Sequence, residues 1–178
     1  MQADELEPLI RSLRRTPLSE TATLAPLCYG RGDIERILPH RAPFLFVDEL
    51  TGVDLAGRTL TGIRRIDPDD VVFAGHFPGE PVYPGVLQIE AMGQLGLCLA
   101  HFVSVERTTI DADTKVARLR AIKVHHALFS APVLPGDELV LQARVVEYDG
   151  YTGTVAGQAW RGSTLCSLSV LEVYFVDE

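Results

Sequence analysis

At 178 residues, with 47% hydrophobic and 22% charged residues, the chain has the composition of an ordinary globular domain, large enough to bury a core without disulfide staples. Its net charge of −8 argues against sequence-independent binding to nucleic acid, which needs a basic footprint. Three cysteines (Cys28, Cys98 and Cys166) are odd in number and lack CxxC or zinc-type spacing, which disfavours a disulfide framework and points to reduced thiols in a cytoplasmic protein.

The first residues, MQADELEPLI, are acidic where a secretory signal requires positive charge. Residues 4–15 (DELEPLIRSLRR) read as a short amphipathic helix with acids in the first turn and arginines in the last. Residues 16–32 are rich in threonine, proline and glycine and read as a linker. The expected organisation is an N-terminal extension, 1–32, followed by one domain, 33–178. Asp33 is the expected N-cap of a single turn, IERIL, that stops at Pro39.

From Phe44 the pattern becomes β: FLFVDELTGVD and RTLTGIRRI flank the turn LAG. A loop over 67–84 carries four prolines and His76. Residues 85–103 are apolar nearly all round, the signature of a helix enclosed by protein. The stretch approaches spanning length, but Gln88, Glu90, Gln94 and His101 favour a core helix over a membrane span. Strands are expected at 116–129, 138–148, 152–161 and 164–176, punctuated by VLPGDE, DGY and RGS turns. Two strands, one buried helix and a four-strand meander imply an α+β fold in which a curved antiparallel sheet wraps the helix. The sheet's open edges and the uncovered side of the helix predict at least a dimer.

The chemistry concentrates in GHFPGEPVYPGVLQIEAMGQ, residues 75–94. Glu90, in the second turn of an apolar helix, must lose solvation, which costs several kcal/mol unless the group is protonated or paired. The plain alternative is a partly exposed glutamate at the open end of the helix. His76 sits among Gly75, Pro78, Gly79 and Pro81, which hold a loop in the way presentation of a base requires; a hydrogen-bonded loop histidine is the alternative. Gly85 opens the helix and lets a ligand approach its first N–H groups, where the dipole suits an enolate-like oxygen. His40, between Pro39 and Pro43, reads as structural. His101 reads as packing or capping, and His125 and His126 face opposite sides of one strand. Cys98 has no partner that would make it a nucleophile.

LPHRAPFLFVDEL (38–50), GHFPGEPVYPGVLQIEAMGQLG (75–96) and FSAPVLPGDEL (129–139) resemble the bacterial 3-hydroxyacyl-[acyl-carrier-protein] dehydratases of type II fatty acid synthesis. The resemblance runs in order from about residue 33 to the C-terminus. It implies a hot-dog fold and a homodimer, alone or as a trimer of dimers, with active sites shared between protomers. By motif position it implies His76 as base and Glu90 as acid, with Gly85 holding the thioester carbonyl. Val82 would orient the histidine through its carbonyl, and Gln94, one turn beyond Glu90, would hold the acid's rotamer. The implied reaction is loss of water from a 3-hydroxyacyl thioester to give the trans-2-enoyl product. No metal or other cofactor is implied beyond the phosphopantetheine of an acyl carrier protein, which carries the substrate.

A related branch that also isomerises the double bond has Asp at the acid position, so Glu90 favours dehydration alone. Where the family carries a basic pair before the proline, this chain has Ser130 and Ala131; Arg64, Arg65, Arg118 and Arg120 are the cations available to compensate. Both this and the N-terminal extension suit a paralogue in a specialised lipid or polyketide pathway as well as housekeeping synthesis. Two other readings are a hot-dog thioesterase, which would release free thiol, and a non-catalytic partner subunit.

Overall fold

The computed structural model describes residues 3–20, 23–116 and 119–175. Among the described residues three α-helices, α1 (Ala3–Leu13), α2 (Arg31–Ile37) and α3 (Gly85–Val105), accompany seven strands. These are β1 (Ala25–Gly30), β2 (Glu49–Asp54), β3 (Thr59–Arg65), β4 (Leu119–Phe129), β5 (Glu138–Tyr148), β6 (Thr152–Arg161) and β7 (Thr164–Phe175). They form one antiparallel sheet in the order β1-β2-β3-β5-β6-β7-β4. Its concave face closes around α3, whose Met92, Leu95, Cys98, Leu99 and Phe102 are buried with Leu60, Leu139, Leu141 and Val155 of the sheet. This is the hot-dog arrangement expected above. Helix and sheet approach closely where a side chain is missing: a Cβ on Gly96 would come within 2.6 Å of Val155.

Three expectations need correction. Residues 25–30, read as linker, form β1 and pair with β2, because β2 would otherwise be the sheet's edge and its free backbone groups accept even a proline-containing partner. Three strands therefore precede α3, not two. The N-cap of α2 is Gly30; Asp33 lies inside the first turn, and its carboxylate accepts the Gly30 N–H at 3.3 Å. Strand β2 starts at Glu49 rather than Phe44. Residues 44–46 are irregular because the Gln94 amide of α3 takes the Phe46 N–H at 2.7 Å and donates to the Phe44 carbonyl at 2.9 Å, doing the work of a neighbouring strand, while the Asp48 N–H already reaches the Ile63 carbonyl of β3 at 2.8 Å. Residue 176, expected to end the last strand, and Arg118 lie outside the described residues.

The convex face is covered as well. β6 is buried along most of its length because α3 lies on one side and residues 6–18 on the other, where Leu13 and Leu18 pack on Ala156, Leu168 and Val170. Two buried glutamines pin this segment. Gln158 donates to the carbonyls of Leu13 (2.6 Å) and Thr16 (2.9 Å), and its oxygen, like that of Gln142, accepts the Leu18 N–H at 2.8 Å. Gln142 also donates to the Ser19 carbonyl at 3.0 Å, and Arg144 donates to the Leu18 carbonyl.

Candidate active site

The loop that carries His76 is built from the backbone. Asp70 caps a short 3₁₀ turn, Val71–Ala74, by accepting the Val72 N–H at 3.0 Å. The His76 N–H then bonds to the Val72 carbonyl at 3.0 Å, and the His76 carbonyl accepts from Val82 N–H at 3.0 Å. Tyr83 N–H reaches the Val133 carbonyl at 2.7 Å, tying the far end of the loop to the segment after β4. His76 Nδ1 lies 2.7 Å from the Val82 carbonyl oxygen. A carbonyl can only accept, so Nδ1 carries the hydrogen and Nε2 of the neutral ring keeps its lone pair. The His76–Phe77 peptide is cis; the Phe77 ring stacks on the imidazole at a centroid distance of 4.1 Å.

His76 lines an open groove of about 520 Å³ that runs past Gly85, Val86, Phe129, Ser130 and Pro132, a volume within the usual range of small-molecule sites. Pro84 is the N-cap of α3, with no side chain satisfying the first N–H groups, so those donors and the positive end of the dipole open toward the groove. Gly85 is required by space: a Cβ there would come within 2.5 Å of the Phe129 ring. Buried Tyr83 and Arg64 lie beneath, linked at 3.4 Å. Burial pushes the Tyr83 phenol up from its ordinary range, with the Arg64 guanidinium opposing.

Glu90 lies elsewhere. It is not among the residues lining the His76 groove, and its side chain keeps 36% of its exposure. The loss of solvation expected from the apolar helix is therefore only partial in one protomer, because Glu90 faces the side of α3 that the sheet leaves open. Gln94 Nε2 donates to Glu90 Oε1 at 2.9 Å, and His40 Nε2 stands 3.5 Å from the same oxygen. His40, read from the sequence as structural, is thus a neighbour of the carboxylate. Its proximity had no local signal, since the two residues meet only when the segment after α2 folds over α3. Phe129, facing Gly85, was likewise not singled out.

Within one chain these residues therefore form two separate clusters: His76 with Gly85 and Val82, and Glu90 with Gln94 and His40. Each is flanked by an exposed apolar side chain, Phe77 (55% exposed) beside His76 and Phe44 (50%) beside Glu90. The remaining histidines have other surroundings. His125 pairs with Glu172 at 2.8 Å, and His101 is buried in α3, its pKa lowered by burial and by Arg107. Burial pushes the Cys98 thiol far up, so it stays protonated.

A helix wrapped by an antiparallel sheet, with a tautomer-fixed histidine at its N-terminal mouth and a carboxylate in its second turn, defines a hot-dog protein equipped for acid–base chemistry. The FabA-like domain family matches residues 38–165, and the chain belongs to that family. Among curated relatives, a protein named 3-hydroxyacyl-[acyl-carrier-protein] dehydratase FabZ from Sulfurimonas denitrificans is 38% identical over 82% of this chain and 96% of its own length. Its namesake from Campylobacter jejuni is 41% identical over 82% of this chain and 96% of its own. Of solved structures, the dehydratase heterocomplex ApeI:P from Xenorhabdus doucetiae superposes with a TM-score of 0.62 at 18% identity, covering 82% of this chain and 91% of that one. An uncharacterised protein from Pyrococcus horikoshii gives 0.54 at 14% identity, over 86% and 96%. At such identities the two structures speak for the fold alone.

Proposed function

We propose that the protein removes water from 3-hydroxyacyl thioesters carried on the phosphopantetheine of an acyl carrier protein, giving the trans-2-enoyl thioester in fatty acid or related lipid biosynthesis. The observation that carries this reading is the bond from His76 Nδ1 to the Val82 carbonyl at 2.7 Å, which leaves Nε2 with its lone pair on a residue that lines the groove together with Gly85. The thioester carbonyl binds at Gly85 and the start of α3. His76 Nε2 takes the α-proton, and the negative charge that develops on the thioester oxygen is stabilised by those N–H groups. The electrons then form the C2–C3 double bond as the C3–O bond breaks. Glu90 in its acid form protonates the departing hydroxyl, which leaves as water. Transfer of the proton from the imidazolium to the Glu90 carboxylate resets the site. The sequence is complete without a metal or redox cofactor.

Glu90 comes from a second copy of the chain in this reading. Strand β4 is the free edge opposite β1, exposing Ile122 and Val124 (both 55%), and Phe44, Phe77 and Val86 stand bare around the two clusters. Pairing β4 with its copy covers that edge and supports a homodimer, alone or within a larger assembly; reduced, unpaired cysteines suit a cytoplasmic setting. The test is turnover of 3-hydroxyacyl thioesters of several chain lengths, followed by enoyl absorbance. His76→Ala and Glu90→Gln should each lose roughly 10²–10⁴-fold in kcat. Coexpressed, the two variants form hybrids in half of the random pairings, each with one intact site, so activity returns to about a quarter of wild type. A mixture no more active than either variant alone rules out the shared site.

A further inference from the structure

Two of the cations that could meet an acidic partner are already engaged. Arg64 is buried beside Asp48 at 3.8 Å, and Arg65 bridges Glu49 at 2.8 Å and Glu138 at 3.1 Å. Arg120 lies on the β4 edge. The last turn of α1 and the residues after it are different: Arg11, Arg14 and Arg15 are all exposed, and among the described residues none of them forms an ion pair. They surround a depression of about 500 Å³ together with Glu7 and Ile10. On a chain of net charge −8, this concentration of exposed positive charge invites a partner.

The structure also holds these arginines in place. The Gln142 and Gln158 amides clasp the backbone at Leu13, Thr16, Leu18 and Ser19, so the helix end is pinned to the sheet. Strand β6 connects this segment to the rim of the groove. Gln158 is three residues from Arg161 along β6, roughly 10 Å at strand spacing. Arg161 Nη1 in turn donates to the carbonyl of Pro132, on the groove rim, at 3.1 Å. A short basic amphipathic helix could in principle lie on an anionic membrane. Here its apolar side is already used, with Leu6, Leu9 and Leu13 packed in the cluster on the convex face. Three cations on an acidic chain are too few for sequence-independent binding to nucleic acid.

We propose that Arg11, Arg14 and Arg15, held on the convex face by the Gln142 and Gln158 clasp, form the docking surface for the acidic carrier protein that delivers the thioester. This rests on the dehydratase reading, since that reading supplies a carrier whose prosthetic arm must enter the groove.

The test is binding of a phosphopantetheinylated acyl carrier protein, followed by fluorescence anisotropy of the labelled carrier, for wild type and R11E/R14E/R15E. Binding by wild type should weaken as salt rises, and the triple reversal should weaken it about tenfold or more. In turnover, KM for the carrier-linked substrate should rise by a similar factor, while KM for the same acyl group on pantetheine moves less than about twofold. The neutral variant R11Q/R14Q/R15Q, checked for an unchanged melting temperature, should fall between the two and separates lost charge from a misfolded helix. A carrier affinity within about twofold of wild type in both variants overturns the proposal. So does wild-type binding to vesicles of anionic phospholipid with none to the carrier. If no thioester on any carrier is turned over, the dehydratase reading fails, while the binding measurement still decides the role of the arginines.

Discussion

Replacing Gln94 with leucine is the sharpest single perturbation, because one amide serves both the fold and the acid. Gln94 is 1% exposed. It accepts the Phe46 N–H at 2.7 Å and donates to the Phe44 carbonyl and to Glu90 Oε1, each at 2.9 Å. Leucine fills nearly the same volume and removes all three bonds. The Phe46 N–H, on a residue only 4% exposed, is left unsatisfied at about 1–3 kcal/mol, and the Phe44 carbonyl, beside a half-exposed ring, loses about 1 kcal/mol net. Glu90 can rehydrate and adds little to the stability loss. The expected destabilisation is about 2–4 kcal/mol, a fall in melting temperature of roughly 4–16 °C for a chain of this size. Because the Glu90 carboxyl loses the donor that holds its rotamer, kcat should also fall roughly tenfold with little change in KM. Thermal denaturation at fixed protein concentration and steady-state kinetics read the two effects. A melting temperature within about 1 °C of wild type, with kcat within about twofold, would refute the view that this amide holds both the 44–46 segment and the acid.

Gly85→Ala should lower kcat/KM by about tenfold or more, since the new methyl meets the Phe129 ring and crowds the first N–H of α3; adding Phe129→Leu should recover part of the loss, and no recovery would show that the ring is not the obstacle. His101 is held neutral by burial and by Arg107, its pKa lowered. Protonation is thus costlier in the folded state: the His101 contribution to stability is present above the unfolded value of about 6.5 and is lost as pH falls below it through the depressed folded value. Melting temperatures measured downward from neutral pH should fall less steeply in His101→Leu than in wild type, and parallel curves would contradict the assignment. Of the three thiols only Cys28 is exposed, so a thiol reagent should modify one cysteine quickly in the native protein and all three after denaturation; fast native labelling of Cys98 or Cys166 would mean that the core opens.

Much of the architecture was legible because it is written locally. The helix from Gly85 follows from an apolar run opened by Pro84, and the four strands after it follow from β-branched stretches cut by PGD, DG and RG turns. His76, Gly85 and Glu90 stand out from residue type and spacing alone, because a base, a helix mouth and an acid need only a few neighbours to be recognised. The missed features depend on partners far along the chain. APLCYG is a strand only because β2 offers an edge. Residues 44–46 stay outside the sheet because Gln94, some fifty residues away, satisfies their backbone. The docking of residues 13–19 is set by Gln142 and Gln158, 124 and 140 residues from Leu18. The sequence by itself determined the wrapped helix, the strand meander and the candidate groups His76, Gly85 and Glu90, since hydrophobic period and side-chain type are local properties. Only the tertiary structure decided that His76 and Glu90 stand apart within one chain, that His40 joins the carboxylate, and that the N-terminal arginines are clamped to the sheet. Exposure, hydrogen-bond partners and the facing of charges depend on which distant segments are brought together.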